Sequence, residues 1–252
     1  MPNLPFTLSF SKLKKYLESP RALKAYIDGK DTASDAMNAG SLLDCLLFEP
    51  DTLKDKFLVT EKIRRAGAEW KAVQVEAAGR AIIWTEDHEQ AQYEADLVRL
   101  DPVVKSLKLY ENAVAVQELI DTAHPKYPHI RHKGVIDART DTCVWDLKRL
   151  SRFDPHRAKW SIIGDYYHLQ GRIYTQKYPL PFYNVVLFDD DVAVIKHSVD
   201  TMNDANMIWV KTLTKLNAEA NTAAVFGEEH WEQFFKQGAS YWSDETDGTF
   251  LI

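Results

Sequence analysis

The segment Gly134–Arg149, GVIDARTDTCVWDLKR, constrains this chain more than any other stretch. It places Asp137, Asp146 and Lys148 in the spacing D-x8-D-x-K. Gly134–Arg139 and Thr142–Arg149 are short runs rich in Val, Ile, Thr and Trp, joined by a polar Thr140-Asp141 turn, so a β-hairpin is expected. Side chains alternate faces along a strand. Asp146 and Lys148 therefore share one face, and Cys143, Trp145 and Leu147 take the other. Asp137, on the neighbouring strand, can meet the first pair.

Composition sets the frame around this hairpin. The chain has 252 residues, 45% of them hydrophobic and 27% charged, which suits one large domain with a full core. No apolar run approaches the ~20 residues needed to span a bilayer, so no membrane partner is expected. The N-terminus MPNLPFTLSFSKLKK lacks the pattern of a secretory signal. Cys45 and Cys143 make no disulfide framework and read as buried thiols in a reducing, cytoplasmic setting. The net charge of −6 argues against a general electrostatic DNA binder. Charge placement matters more. Lys148, Arg149, Arg152, Arg157 and Lys159 crowd around the carboxylates with His156, Lys12, Lys14, Lys15, Arg21 and Lys24 form a second group, and Arg64-Arg65 a third. These are either solvated surface or the lining of a phosphate-facing groove.

The first 110 residues read as helical: Ser9 or Ser11 to Glu18, Ser19-Pro20 to Ile27, Ser34 to Phe48, Ala68–Ala78, Thr85–Leu100, and a short helix from Asp101-Pro102 to about Leu109. Residues 51–67 are a mixed, basic stretch. Strands follow over Asn112–Asp121, His129–Arg139, Thr142–Arg149, Pro181–Phe188 and Val192–Val199, the last two turning through Asp189-Asp190-Asp191. Asp154 to Trp160 and Ile163–Lys177 are helices between them, and Met202–Glu219 and Glu228–Phe235 close the chain. The order predicts a mixed α/β fold: a helical region over 1–110, a sheet core over 111–200 and C-terminal helices over 201–252.

Two carboxylates and an ammonium on one sheet face make a hard-oxygen site for Mg²⁺ or Mn²⁺, an arrangement suited to phosphodiester hydrolysis. Gln170 and Tyr174, four apart in YYHLQGRIY, share a helix face and can reach the same site. The alternative is a helix simply packing on the sheet through its aromatic residues. Among the histidines, His129, His132, His156 and His168 lie near the core without metal-ligand spacing, and His168 reads as a packed or groove-lining residue. No Walker-type loop is present, so ATP is not implied.

These residues resemble the PD-(D/E)XK nuclease superfamily, whose RecB-like branch reads D, then D-x-K, then Q-x-x-x-Y on the next helix. TLSFSKLKKYLESPRALKAY, followed by AGSLLDCLLFEP and Arg64-Arg65…Trp70, is similar to the start of the exonuclease VIII (RecE-type) phage recombination nucleases. The likeness spans about residues 7–200. It implies a restriction-endonuclease-like mixed sheet flanked by helices. It further implies Asp137 and Asp146 as metal ligands with the Leu147 carbonyl as a third, and Lys148 orienting the attacking water and neutralising developing charge. Glu118 would bind metal or hold water. Gln170, Tyr174, Arg149 and Arg152 would face DNA. The usual Pro before the first Asp is Ile136. Asp44 falls where the family has a metal-ligating His: it is either an oxygen ligand or the wet end of an apolar helix face.

The resemblance implies a Mg²⁺-dependent exonuclease working 5′ to 3′ on double-stranded DNA ends, a single-strand annealing protein as partner, and a homo-oligomeric ring (trimer or tetramer) in a bacterial or phage-infected cell. Two further readings stay open: a metal nuclease of single-strand or endonucleolytic specificity, and a non-catalytic DNA-binding or assembly module.

Overall fold

The structure is a computed structural model that describes residues 7–29, 35–150, 154–238 and residue 241. In chain order the elements are β1 (Thr7–Leu8), α1 (Phe10–Glu18), α2 (Pro20–Ile27), α3 (Asp35–Phe48), α4 (Leu53–Lys56), β2 (Phe57–Thr60), α5 (Gly67–Ala77), β3 (Ala81–Trp84), α6 (Thr85–Leu100), α7 (Pro102–Ser106), β4 (Ala115–Ala123), β5 (Arg131–Arg139), β6 (Val144–Leu150), α8 (Ala158–Gly164), α9 (Tyr167–Thr175), β7 (Phe182–Phe188), β8 (Asp191–Lys196), α10 (Val199–Phe226) and α11 (Glu228–Phe234).

The caps read from sequence form. The Ser9 hydroxyl accepts from the Lys12 amide at 3.2 Å, and that of Ser19 from the Ala22 amide at 3.0 Å. Asp101 caps α7 through the Val103 and Val104 amides at 2.9 and 2.8 Å. Each cap satisfies helix N-terminal donors that have no intrahelical partner. Ser34, the expected start of α3, lies outside the described residues, as do Arg152 and Trp242.

The central sheet is mixed. β6 and β7 run parallel over Val144↔Phe182 to Leu150↔Phe188, and β7 and β8 pair antiparallel. β4 covers one edge of β5 from Ala115↔Arg139 to Ala123↔Arg131. The other edge of β5 is shared. β6 takes only Ala138 and Arg139, and β1 takes only Arg131 and His132, in parallel. Between those contacts β5 and β6 part, leaving a fork along residues 133–137.

Helices cover both faces. Trp145, Leu147, Cys143, Ala138, Val185 and Leu187 pack with α3, α6 and α7. Val144, Ile136, Ile120 and Phe182 pack with α1, α2, α9, α10 and α11. The alternation expected for β6 holds, with Cys143, Trp145 and Leu147 on one side. Trp209, Phe234 and Tyr241 are buried in the second core, so the C-terminal helices complete it. Both cysteines are free and buried.

Several elements differ from expectation, beginning with the two-residue strand β1 (Thr7–Leu8), where no strand was expected. The stretch 51–67 contains β2, which pairs in parallel with β3 as a separate two-stranded sheet, Phe57↔Ala81 to Thr60↔Trp84. Both are four-residue runs too short for a period to show. The helix expected over Ile163–Lys177 is broken: α8 ends at Gly164 and α9 starts at Tyr167, because Tyr166 sits in the left-handed region at φ 60. α10 is longer than expected at 28 residues, starting at Val199 under a Ser198 cap. Among the described residues, no helix is long and apolar enough to cross a membrane.

α9 lies close enough to the sheet that side-chain size is limiting. A Cβ on Gly171 would fall 2.3 Å from the Phe182 ring, and one on Gly134 would fall 3.0 Å from the Tyr174 ring. Gly171→Ala is therefore expected to destabilise the fold by about 1–3 kcal/mol of overpacking, outweighing the ~1 kcal/mol helix-propensity gain. A thermal melt no lower than that of the unsubstituted protein would contradict this packing.

Candidate active site

The fork between β5 and β6 gathers the motif residues. Where the ladder stops, the Asp137 carboxylate replaces a backbone acceptor: its Oδ2 accepts from the Leu147 amide at 2.8 Å. The N–H and C=O of one residue point to the same strand edge, so the Leu147 carbonyl also faces the fork. Asp146 is 1% exposed and Lys148 17%, and the two form an ion pair through Asp146 Oδ2. Gln170 Nε2 donates to Asp146 Oδ1 at 2.6 Å and lies 2.8 Å from the Tyr174 hydroxyl. That hydroxyl donates to the Val135 carbonyl at 2.7 Å, on the fork-facing stretch of β5. The Q-x-x-x-Y pair thus braces both prongs from α9.

Sequence reasoning placed Gln170 and Tyr174 on a DNA-facing surface. The structure buries them, with polar atoms turned inward on Asp146 and Val135. Arg149 is likewise engaged elsewhere. Its guanidinium makes a two-pronged bond to Glu94 on α6, at 2.7 and 2.8 Å, and Glu94 is buried. Glu118 is paired with Ile136 in register, beside Asp137, yet its carboxylate is held by Arg139 (3.1 Å), Lys177 (3.1 Å) and Tyr178. Burial alone would raise its pKa, but the hydrogen bonds from Tyr178, Arg139 and Lys177 outweigh it and hold the carboxyl below its usual value. Of the basic groups, Lys14 pairs with Asp165 at 2.8 Å. His168 is buried, as the packed reading expects, whereas His129 and His156 are exposed.

Electrostatics tie Asp44 to the fork. Half-buried on α3, its carboxyl is pushed up to about 7, first by burial and then by repulsion from Asp146, with Lys148 and Lys56 opposing. Asp137 is raised well above the ordinary carboxyl value by burial and by the charges of Asp146 and Asp44. Burial opposes the charge on Lys148, but attraction to Asp146 and Asp137 prevails and keeps it protonated. Three carboxyl groups thus share the Lys148 ammonium, with Lys56 also acting on Asp44, a balance short of positive charge. Among the described residues no three His, Cys, Asp or Glu side chains form a ready-made metal-holding group. The donor chemistry nonetheless fits a hard divalent cation: carboxylate oxygens, a backbone carbonyl and a deficit of positive charge.

Sequence reasoning missed four residues around this centre. Tyr167 lies under the Lys148 ammonium, 5.1 Å from ring centroid to Nζ. Tyr110 packs edge-on to Trp145 at 5.1 Å, and its pKa is raised by burial and by the charges of Asp137 and Asp44. Asn184 and His197 back Asp146 from β7 and the end of β8. Only Asn184 left a signal, as the one amide within the apolar run FYNVVLF.

Two outcomes follow. Arg149→Ala removes the two-pronged partner of Glu94 and is expected to cost about 1–3 kcal/mol of stability, less than for a fully buried pair because Arg149 is 39% exposed. A thermal melt unchanged by the substitution would show the pair to be idle. Second, a ligand must bind deprotonated, so Mn²⁺ binding near pH 6.5 should release protons, and Asp44→Asn should lower that release by up to about one. Calorimetry in two buffers of different ionisation enthalpy reads this, and equal release by both proteins removes Asp44 from the site.

Residues 9–188 match the family model described as a PDDEXK-like domain of unknown function (DUF3799). The chain is similar in structure to a crystal structure titled "Putative exonuclease" from Eubacterium rectale, with TM-score 0.56 and 16% identity over 84% of this chain and 82% of that one. That likeness supports the fold, a mixed sheet between helices. No curated protein matches the chain.

Proposed function

The chain belongs to the PDDEXK-like (DUF3799) family, and on that premise we propose that it is a Mg²⁺- or Mn²⁺-dependent deoxyribonuclease that degrades double-stranded DNA from its ends. The observation that carries the reading is the fork itself, where Asp137, Asp146 and Lys148 converge with the Leu147 backbone at the point where β5 and β6 separate.

In this reading Asp137, Asp146 and the Leu147 carbonyl hold the ion, joined by Asp44 once deprotonated. When bound, the ion supplies Lewis-acid polarisation of the phosphate and of the attacking water. Lys148 is fixed beside Asp146 as a permanent ammonium, where it orients that water and offsets charge building on the phosphate oxygens. Gln170 and Tyr174 hold Asp146 and the β5 backbone rigid. Glu118, bound to Arg139, Lys177 and Tyr178, sits one strand away and presents a polar cluster beside the fork.

The finer assignment follows the likeness to RecE-type nucleases at the N-terminus. It gives a 5′ to 3′ exonuclease leaving 3′ single strands, an annealing protein that takes them, and a ring of subunits around the duplex. A ring with a basic bore and an acidic exterior would reconcile DNA binding with the net charge of −6.

The test is a linear duplex labelled at each 5′ end alongside a covalently closed circle. The expected result is loss of the linear DNA in Mg²⁺, none in EDTA, and an intact circle, with the order of label release giving polarity. Asp146→Asn and Lys148→Ala should each lower cleavage by about 10²–10³-fold or more while DNA binding persists. A nicked circle would replace the exonuclease with an endonuclease, and activity retained in Asp146→Asn would overturn the site.

A further inference from the structure

Behind Asp146 runs a chain of buried polar groups outside the D…D-x-K…Q-x-x-x-Y pattern. Asn184 is the register partner of Asp146 on the parallel strand β7, so the two side chains share a face. Asn184 is wholly buried, and its Nδ2 donates to Asp146 Oδ2 at 3.4 Å. Its Oδ1 lies 2.7 Å from His197 Nε2. His197, 7% exposed, is anchored at the end of β8: its amide donates to the Phe182 carbonyl at 3.0 Å and its ring packs on Phe182 at 5.1 Å.

Resting on the metal-site reading above, we propose that Asn184 and His197 are positioning residues that aim the Asp146 carboxylate and thereby set the affinity of the fork for a divalent cation. The polarity of the Asn184 amide makes its orientation decisive. A carboxamide has one accepting end and one donating end, and nothing in its shape prevents a flip. Flipped, Asn184 would turn its oxygen on a carboxylate oxygen, lone pair against lone pair. An Nε2–H on His197 donating to Oδ1 blocks the flip, and the relay assigns the imidazole proton to that nitrogen. With that end fixed, the NH₂ group can only face Asp146. Asp146 then has Gln170 on Oδ1 and Asn184 with Lys148 on Oδ2, which fixes the plane of the carboxylate. Burial holds the His197 imidazole down to about 4, so it stays neutral through the working range. Asn184 thus governs Asp146 directly, and His197 governs it through Asn184. Outer partners of this kind alter metal affinity by about 10–100-fold when removed.

The experiment is calorimetric titration of Mn²⁺ into the full chain without DNA, for the unsubstituted protein and for His197→Ala, His197→Gln, Asn184→Leu and Asp146→Asn, each first shown to be folded by circular dichroism. His197→Ala and Asn184→Leu should weaken Mn²⁺ binding by about 10-fold or more. His197→Gln, which restores an N–H donor, should recover most of the loss. His197→Ala placed in Asp146→Asn should change nothing further. Nitrogen-15 spectra of the His197 ring should show the Nε2–H tautomer. Mn²⁺ affinity unchanged in folded His197→Ala, no recovery in His197→Gln, or the Nδ1–H tautomer would each overturn the relay. A protein that binds Mn²⁺ with this variant pattern yet cuts no DNA would keep the relay and discard the nuclease reading. A protein that cuts DNA and whose Mn²⁺ affinity ignores His197 would do the reverse.

Discussion

The hydrogen bond from the Leu147 amide to the Asp137 carboxylate is the contact on which the rest of the structure depends. A β-sheet normally satisfies its backbone donors with the neighbouring strand, and an unsatisfied buried amide costs about 1–3 kcal/mol. Here the ladder between β5 and β6 ends after two pairs, and a side chain takes over the acceptor role. One carboxylate therefore does two things: it closes the backbone account of β6 and brings negative charge into a cleft. Tyr174 performs the complementary task on β5 by donating to the Val135 carbonyl. Two backbone groups at the fork, the Leu147 amide and the Val135 carbonyl, thus have side-chain partners where the ladder has stopped.

Opening the fork exposes a concentration of negative charge that folding alone would not favour. Burial and mutual repulsion raise Asp137 and Asp44; Lys148 offsets both, and Lys56 also acts on Asp44. Such arrangements cost stability in the unliganded state and are typical of sites built for a charged ligand. The surrounding structure meets that cost through packing: Trp145 and Phe182 are almost wholly buried on opposite faces of the sheet, and α9 approaches so closely that a methyl on Gly171 would collide and one on Gly134 would be crowded. The same close approach brings Gln170 within 2.6 Å of Asp146, so helix packing and site geometry are one constraint.

Much of the fold was legible because its signals are local. The period-two run in Thr142–Arg149 fixed which side chains share a face, and serine, aspartate and proline at helix starts gave the boundaries of α1, α2 and α7. β1, β2 and β3 were hidden because runs of two to four residues carry no period, and their pairings depend on partners far along the chain. The break at Tyr166 was also hidden, since nothing in YYHLQ announces a left-handed residue. In the site, the motif residues could be named, but their directions could not. Gln170, Tyr174 and Arg149 had the chemistry of phosphate-facing groups, and the structure turns all three to protein partners.

The sequence by itself determined the donor set: hard carboxylate oxygens and one lysine at strand spacing, with a Gln–Tyr pair one helical turn apart. That follows from covalent geometry, because periods of 2 and 3.6 place those side chains on common faces in any structure with those elements. Only the tertiary structure decided that β5 and β6 part where these residues fall, that Glu118 and Arg149 are held by other charges, and that Asn184 and His197 stand behind Asp146. Those facts depend on which buried polar group meets which partner. Partners more than a hairpin apart are set by packing, which leaves no period in the sequence.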